Sequence, residues 1–348
     1  MSNKLIVGGT FDTNGGKPSK IVARLADSLG SDWSCINGGH IDVIKQFSPL
    51  GKSVLLWMPN VSNDEDKIID NLKQINPHMI LIQSKRVVEK EYRPSDVVGR
   101  LLKSHSLLGI MITKQFGVYN FSLLDPLGNI WASTTKVELL GKAINSRIDT
   151  LTSMKRVGSI RKTFNVNSTV EQEFVDVVKA YGSKFSTFVE AANPYRLLGN
   201  ASTRCAKGFP AVRLDDCIMV SRRNVDKETL CSGDFVPVKP HMDKYIQYTG
   251  DFKPSVDAPI QIKLFDYYKN VKYMIHGHAY VLRAFITEHK IPCGFIEEFD
   301  DITSIIPDPN TANFCINLRG HGCLILANDI EYLHSQLDNL VARPFPEQ

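Results

Sequence analysis

The feature that most constrains this chain is an alternation of short apolar runs with helical patterns over its first 150 residues. Strand-like runs occupy 5–7, 53–58, 79–82 and 107–112, and residues 21–26, 67–75 and 97–102 between them have apolar positions at helical spacing. Strands separated by helices need crossover connections, which favour a largely parallel sheet. The sequence therefore predicts an α/β domain over 1–150.

The end of this domain and the start of the next differ in pattern. Residues 121–131 are typical of a hairpin, and a helix over about 136–148 closes the unit. A polar, basic stretch without periodicity, 151–168, is the predicted linker. Ser168 and Glu171 then match a capping box ahead of a helix with an apolar stripe.

The second predicted domain, 169–348, alternates strands and helices. The helices before, between and after the strands indicate an α/β layered fold. The strand-like segments are 211–214, 217–221, 235–238, 273–275, 314–318 and 324–326, and the later helices are 258–268 and 330–340.

Composition narrows the class of protein. The length of 348 residues suits two domains, and 43% hydrophobic with 22% charged residues is ordinary for a globular chain. The net charge of 41 − 37 = +4 is not concentrated in any run, so we expect no nucleic-acid partner. The longest apolar runs, such as 106–113, are too short to span a bilayer, so no membrane partner is expected. Seven cysteines without a C-x-x-C pair or a signal peptide predict reduced thiols in the cytoplasm.

Three histidines form the strongest chemical pattern. His276 and His278 lie two apart directly after an apolar strand, so both imidazoles can point to one face, and Gly277 leaves the opposite face open. His321 lies between two further strand-like runs. Three imidazoles with one position left open are typical of a catalytic zinc site. The alternative is that these are unrelated polar residues at strand ends. Cys315 and Cys323 flank His321, and we expect both to be buried apolar side chains rather than ligands.

A glycine-rich stretch joins the first strand to the first helix. Backbone amides there, with the helix N-terminus, can approach a phosphate. The run matches neither G-x-G-x-x-G nor a Walker sequence, so a tight turn without ligand is the alternative. The segment 37–40 is a candidate second loop at the same sheet edge. The candidate nucleotide-binding residues are Gly8, Gly9, Thr10, Gly15 and Gly16.

Six motifs occur in a fixed order in the second domain. They are L-G-N-A-S at 198–202, S-R-R-N-V-D-K at 221–227, K-P-S-V-D-A-P at 253–259, H-G-H at 276–278, I-P-C-G at 291–294 and G-H-G at 320–322. This order resembles the class II aldolase/adducin family, which includes fuculose-phosphate aldolase and ribulose-phosphate 4-epimerase, over about 170–340. The resemblance implies a C-terminal α/β/α domain and a homo-oligomer, a tetramer in many members, with active sites between subunits.

The same resemblance implies roles for single residues. His276, His278 and His321 match the ligands of Zn²⁺ or another divalent metal, and Asp257 matches the catalytic carboxylate. The stretch around Asp257 is closer to the epimerases, which carry aspartate there. The implied activity is a zinc-dependent lyase or epimerase that acts on a small phosphorylated sugar through an enediolate, or retro-aldol, intermediate. The residues that match substrate-binding positions are Asn200, Ser255, Arg223 and Asn224.

Departures from the family keep other functions open. Arg223 and Asn224 replace a Ser/Thr-Gly pair, Val256 replaces a second serine, and His321 follows His278 by only 43 positions. The shortened segment lacks the family's tyrosine or aspartate that acts as acid or base, and Tyr280 is not assigned to that role. An adducin-like binding or scaffold protein without catalysis is therefore the first alternative.

The first domain carries a second resemblance. Its G-G-T turn, the later L-D-P-L-G at 124–128 and the closing helix resemble the phosphopantothenoylcysteine synthetase fold, which is Rossmann-like. The resemblance implies a fold and a possible nucleotide in the pocket, without matching catalytic residues. A nucleotide-dependent ligase in this domain, with the zinc domain supporting assembly, is the second alternative function.

Overall fold

The computed structural model describes residues 4–9, 20–37, 53–59, 79–88, 94–164, 166, 169–186, 197–205, 217–241 and 245–344. The chain divides into two compact units, one up to Ser153 and one over Met154–Pro344. No helix among these described stretches is long and apolar enough to cross a bilayer.

The first unit contains a seven-stranded sheet in the order β2-β1-β3-β4-β5-β6-β7. The five strands from β2 to β5 are parallel, and β6 and β7 extend the sheet antiparallel, which confirms the predicted parallel core. The strands are β1 (Lys4–Gly9), β2 (Trp33–Asn37), β3 (Val54–Pro59), β4 (Ile80–Val88), β5 (Leu108–Gln115), β6 (Val118–Leu124) and β7 (Ile130–Thr134). The helices are α1 (Lys20–Leu29), α2 (Pro94–Lys103) and α3 (Val137–Ser153).

Two tight turns shape the antiparallel edge of this sheet. Phe116 and Gly117 have φ of 49° and 81°, the two positive values that a two-residue hairpin turn between β5 and β6 requires. The predicted hairpin over 121–131 joins β6 to β7, and its turn is organised by Asp125. The Asp125 carboxylate accepts hydrogen bonds from the Leu127 amide at 2.9 Å and the Trp131 indole at 3.0 Å.

The second unit contains a nine-stranded sheet in the order β15-β16-β17-β13-β9-β10-β11-β12-β8. Its strands are β8 (Gly158–Arg161), β9 (Asn200–Arg204), β10 (Ile218–Ser221), β11 (Phe235–His241), β12 (Tyr245–Tyr248), β13 (Tyr273–Gly277), β15 (Phe285–Ile286), β16 (Phe314–Leu318) and β17 (Gly322–Ala327). A small pair joins β14 (Tyr280–Val281) to β18 (Leu340–Val341). The helices are α4 (Gln172–Tyr181), α5 (Ala258–Tyr267), α6 (Glu297–Ile305) and α7 (Ile330–Leu337).

Two hydrophobic cores lie on opposite faces of this sheet. Alternate residues of β13 show the division, because Tyr273 and Ile275 belong to one core and Met274 to the other. Helices α4 and α7 cover the first core, and α5 and α6 cover the second. The second unit is therefore an α/β/α layered domain, as the sequence predicts.

Two expectations at the junction of the units are wrong. Residues 158–161 lie within the predicted linker but form β8, which pairs in parallel with β12. The predicted capping box is also wrong at Glu171, because α4 begins at Gln172 and the Glu171 side chain makes no capping hydrogen bond. That carboxylate instead contacts Lys272 at 2.8 Å and the Tyr273 hydroxyl. Ser168, the predicted helix over 67–75 and the predicted strand over 211–214 lie outside the described residues.

Candidate metal centre

The three candidate histidines meet at one end of the nine-stranded sheet. His276 is in β13, His278 follows that strand, and His321 lies in the turn between β16 and β17. Because β13 pairs with β17, the turn that holds His321 lies beside the end of β13. The ring centroids are 4.9 Å apart for His276 and His278, 4.7 Å for His276 and His321, and 5.1 Å for His278 and His321.

The three rings can lie this close because the backbones of β13 and β17 are in close contact at this end of the sheet. A Cβ atom at Gly322 would lie 2.0 Å from the carbonyl oxygen of Gly277, so only glycine fits at the start of β17. Gly277 itself does not leave an open face, which corrects the expectation from the sequence. The Phe185 ring fills that side, at 3.1 Å from where a Gly277 Cβ would be. The Phe185 carbonyl also accepts a hydrogen bond from the His278 amide at 2.8 Å.

The side-chain nitrogens are oriented by hydrogen bonds on the far side of the rings. The His276 Nδ1–H donates to the Cys323 carbonyl at 2.9 Å, which leaves Nε2 as the atom with a free lone pair. The His321 Nδ1–H donates to the Glu298 carboxylate at 2.6 Å, which likewise leaves Nε2. Metal-binding histidines usually have such a partner on the second nitrogen.

Burial sets the charge of these imidazoles. All three residues are at most 3% exposed. Desolvation lowers the pKa of His276 to about 4 and the pKa of His278 well below its usual value, so both rings are neutral, the form in which an imidazole can bind a metal. Burial also opposes the charged form of His321, but the neighbouring Cys293 and Glu298 raise its pKa well above the usual range. A metal cation at Nε2 would take the place of the second proton of this ring, while Nδ1–H stays hydrogen-bonded to Glu298.

The residues present fit a divalent metal ion. One side-chain atom of each histidine lies within 4.8 Å of those of the other two. The Nε2 atom of His276 is buried and has no hydrogen-bond partner, a costly arrangement for a polar atom. A bound cation would satisfy that nitrogen, and three imidazoles are a ligand set that zinc accepts.

Asp257 lies beside this cluster and is fixed by two polar neighbours. The Asn200 amide nitrogen donates to Asp257 Oδ2 at 2.9 Å and to Ser255 Oγ at 3.1 Å. Asn200 is also the strand partner of His276, so it connects the carboxylate to the histidine strand. Asp257 precedes α5 without capping it, and its Oδ1 is buried with no hydrogen-bond partner. The structure thus brings Asn200, Ser255 and Asp257 together next to the histidines.

The two unusual residues of the 221–227 motif have different positions. Asn224 has a φ of 59°, a left-handed conformation that glycine and asparagine adopt more readily than other residues. Its side-chain oxygen accepts a hydrogen bond from the Leu197 amide at 2.7 Å and so holds the backbone ahead of β9. Burial lowers the pKa of Arg223, and the Asp257 charge opposes that effect across the site. Arg223 is therefore the member of the pair whose charge interacts with that of Asp257.

Three residues near the histidines were not assigned from the sequence. Glu298 at the start of α6 is 4% exposed and orients His321. The Cys293 Sγ atom lies 3.0 Å from His321 Nε2. Lys227 is 4% exposed, donates to the Leu197 carbonyl at 3.0 Å, and has a pKa that burial lowers to about 8. Cys293 stands within a family motif and could have been considered, whereas nothing in the sequence pattern marks Glu298.

The remaining residues considered from the sequence are a tyrosine, two cysteines and the glycine-rich stretch of the first unit. The Tyr280 hydroxyl accepts a hydrogen bond from the Gly320 amide at 2.9 Å, so it supports the turn that carries His321. Cys323 is buried in a hydrophobic core, as expected, whereas Cys315 is only partly buried and its thiol donates to the Gln336 side chain at 3.1 Å. Gly8 and Gly9 end β1. Thr10, Gly15 and Gly16, with 38–40 of the candidate second loop, lie outside the described residues, so nucleotide binding stays a prediction.

Comparisons with known proteins gave matches only among solved structures. No family model matches the chain, and no curated protein matches it. An L-fuculose 1-phosphate aldolase is 13% identical with a TM-score of 0.35, covering 50% of this chain and 84% of that chain. YgbL from Klebsiella pneumoniae, a putative aldolase/epimerase/decarboxylase, is 13% identical with a TM-score of 0.34, covering 48% and 82%. A DNA/pantothenate metabolism flavoprotein from Streptococcus pneumoniae is 11% identical with a TM-score of 0.32, covering 43% and 99%. The identities and the TM-scores of all three matches are low.

Proposed function

We propose that the second unit is a metal-dependent lyase or epimerase whose substrate is a small phosphorylated sugar. The observation that carries the proposal is the buried cluster of three imidazoles with the unpartnered Nε2 of His276, next to a buried carboxylate. His276, His278 and His321 would hold the divalent ion, for which zinc is our first choice. When bound, such an ion polarises a carbonyl or hydroxyl oxygen of the substrate.

Asp257 is the proposed proton acceptor. Its Oδ2 is held by Asn200 and its Oδ1 has no partner, so one oxygen is fixed and the other is available for a substrate proton. Removal of a proton beside a polarised carbonyl, or cleavage of the adjacent carbon–carbon bond, leaves an enediolate. A carboxylate fixed in this way reaches the substrate from one side, and it can return the proton there, either to the enediolate fragment or to the hydroxyl when the carbon–carbon bond re-forms.

Binding of the phosphate is proposed for the residues around the same carboxylate. Arg223 offers a guanidinium, which can hold a phosphate through two parallel hydrogen bonds. Ser255 and Asn200 add a hydroxyl and an amide, and Asn224 holds the backbone at Leu197, ahead of the strand that carries Asn200. Contacts to the phosphate would position the reacting carbons, so that remote binding energy contributes to the rate.

The test combines metal analysis with a substrate screen. We expect about one zinc per chain in purified protein, lost in His276→Ala, and turnover of at least one compound in a panel of sugar phosphates followed by NMR. Asp257→Asn should keep the metal and lower turnover by about 100-fold or more, because a positioned acid–base group contributes that much. Metal-free wild-type protein with unchanged turnover would refute the proposal.

A matched control separates chemistry from packing. Asp301→Asn makes the same change at another buried carboxylate of the unit, which contacts the exposed His289 at 3.0 Å. We expect this variant to keep both metal and turnover. Bound metal without turnover of any sugar phosphate would instead support the adducin-like scaffold. The proposed tetramer is tested separately by sedimentation of the same samples.

A further inference from the structure

We propose that Cys293 is a fourth ligand of the metal centre, so that the substrate-free site has three nitrogen donors and one sulfur donor. The Cys293 Sγ atom lies 3.0 Å from Nε2 of His321. That nitrogen is the one left for the metal, because Nδ1 is engaged by Glu298. The sulfur therefore faces the same point in space as the imidazole lone pair. This inference rests on the metal site of the proposed function.

The turn that carries Cys293 is fixed in place from several sides. Gly294 has a φ of 78°, and a Cβ there would lie 3.1 Å from the Val256 carbonyl, so the turn packs directly against the residue before Asp257. The Cys293 carbonyl accepts a hydrogen bond from the Arg156 guanidinium at 3.4 Å. The Arg156 guanidinium in turn stacks on the Phe295 ring at 4.4 Å. These contacts fix the turn that presents the sulfur to His321.

The distances are compatible with a shared ion. Zinc binds sulfur at about 2.3 Å and imidazole nitrogen at about 2.0 Å, so two such ligands of one tetrahedral ion lie roughly 3.5 Å apart. The observed 3.0 Å separation would open by about half an ångström, which a side-chain rotation provides. Binding would release the thiol proton and the Nε2 proton of the charged His321 ring to solvent, and no electron is transferred.

A second observation independently points to a cation at this place. His276 is 2% exposed and its Nε2 has no hydrogen-bond partner, and one ring nitrogen from each of the three histidines lies within 4.8 Å of the other two. In the proposal, the cation that would satisfy this nitrogen is the one that Cys293 binds from the side of His321. A thiolate at the fourth position would close the site in the resting protein, and substrate would have to displace it or expand the coordination.

The experiment uses cobalt as a spectroscopic probe of the full chain. Protein freed of metal and reloaded with Co²⁺ should show visible d–d bands of a tetrahedral ion and, in addition, a near-ultraviolet sulfur-to-cobalt charge-transfer band. Cys293→Ser and Cys293→Ala should keep the d–d bands and lose the charge-transfer band. The control is Cys231→Ser, which changes an exposed thiol that contacts Asp234, and it should keep both features.

A structural measurement on zinc completes the test. X-ray absorption of the zinc-loaded protein should fit one sulfur at about 2.3 Å together with nitrogens at about 2.0 Å. Zinc affinity of Cys293→Ala should fall at least about tenfold. Cobalt bound with d–d bands but no charge-transfer band in the wild type would overturn the role of Cys293 and leave the histidine site intact. Absence of cobalt binding altogether would overturn the metal site itself and the proposed function with it.

Discussion

Glu298→Gln offers the sharpest test of how the centre is built. The carboxylate accepts a 2.6 Å hydrogen bond from His321, and both side chains are at most 5% exposed. A hydrogen bond to a charged group contributes about 1.5–3 kcal/mol and a neutral one about 0.5–1.5 kcal/mol. The amide oxygen can still accept, so the loss is about 1.5 kcal/mol, which corresponds to a roughly tenfold weaker metal affinity. Loss of the partner of a ligating histidine typically has an effect of this size.

The affinity is measured by competition between the protein and a chromophoric chelator for Zn²⁺. Asp301→Asn on the same helix is the matched control, because it removes a buried charge that contacts His289 rather than a candidate ligand. The control should bind zinc as the wild type does. Equal affinity of Glu298→Gln and wild type, or an equal loss in both variants, would show that Glu298 does not orient His321 for a metal.

Three other predictions concern stability. Gly322→Ala should lower the free energy of unfolding by about 1–3 kcal/mol, because its Cβ would overlap the Gly277 carbonyl oxygen at 2.0 Å. The control Gly233→Ala, whose nearest atom would be 3.7 Å away, should be nearly neutral. Equal effects of the two substitutions in denaturant titrations would refute this. Lys227 has a pKa lowered to about 8, so between pH 8 and 10.5 the unfolded chain binds a proton that the folded chain lacks. Wild type should therefore gain up to about 3 kcal/mol relative to Lys227→Met as pH rises through that window, and a constant difference between the two would contradict the burial argument. Asp125→Ala removes the carboxylate that accepts the hydrogen bonds of the β6–β7 turn, so it should lower the free energy of unfolding by about 3 kcal/mol or more. The loss should appear as a lower melting temperature of the first unit. An unchanged melting temperature would be inconsistent with that role.

The sequence was most informative where a pattern is local. Apolar periodicity predicted the strand at 314–318 with the observed bounds and placed the helix at 258–268 within one residue of α5. It missed β2, β8 and α6, because short or mostly polar segments acquire their structure from pairing and packing with distant parts of the chain. The capping box was wrong for the same reason, since Glu171 makes its contacts with Lys272 and Tyr273, about a hundred positions away.

The sequence by itself determined which residues are candidates for the site. The order of motifs identified His276, His278, His321 and Asp257 as residues to examine together, because ligand chemistry is a property of residue types and their strand positions. Only the tertiary structure decided which further groups complete the centre. Glu298 and Cys293 reach His321 from 23 and 28 positions away, through a helix and a turn whose placement depends on packing against the sheet. Such long-range contacts produce no periodic pattern in the sequence. The orientation and the charge of the His321 ring therefore depend on the tertiary structure.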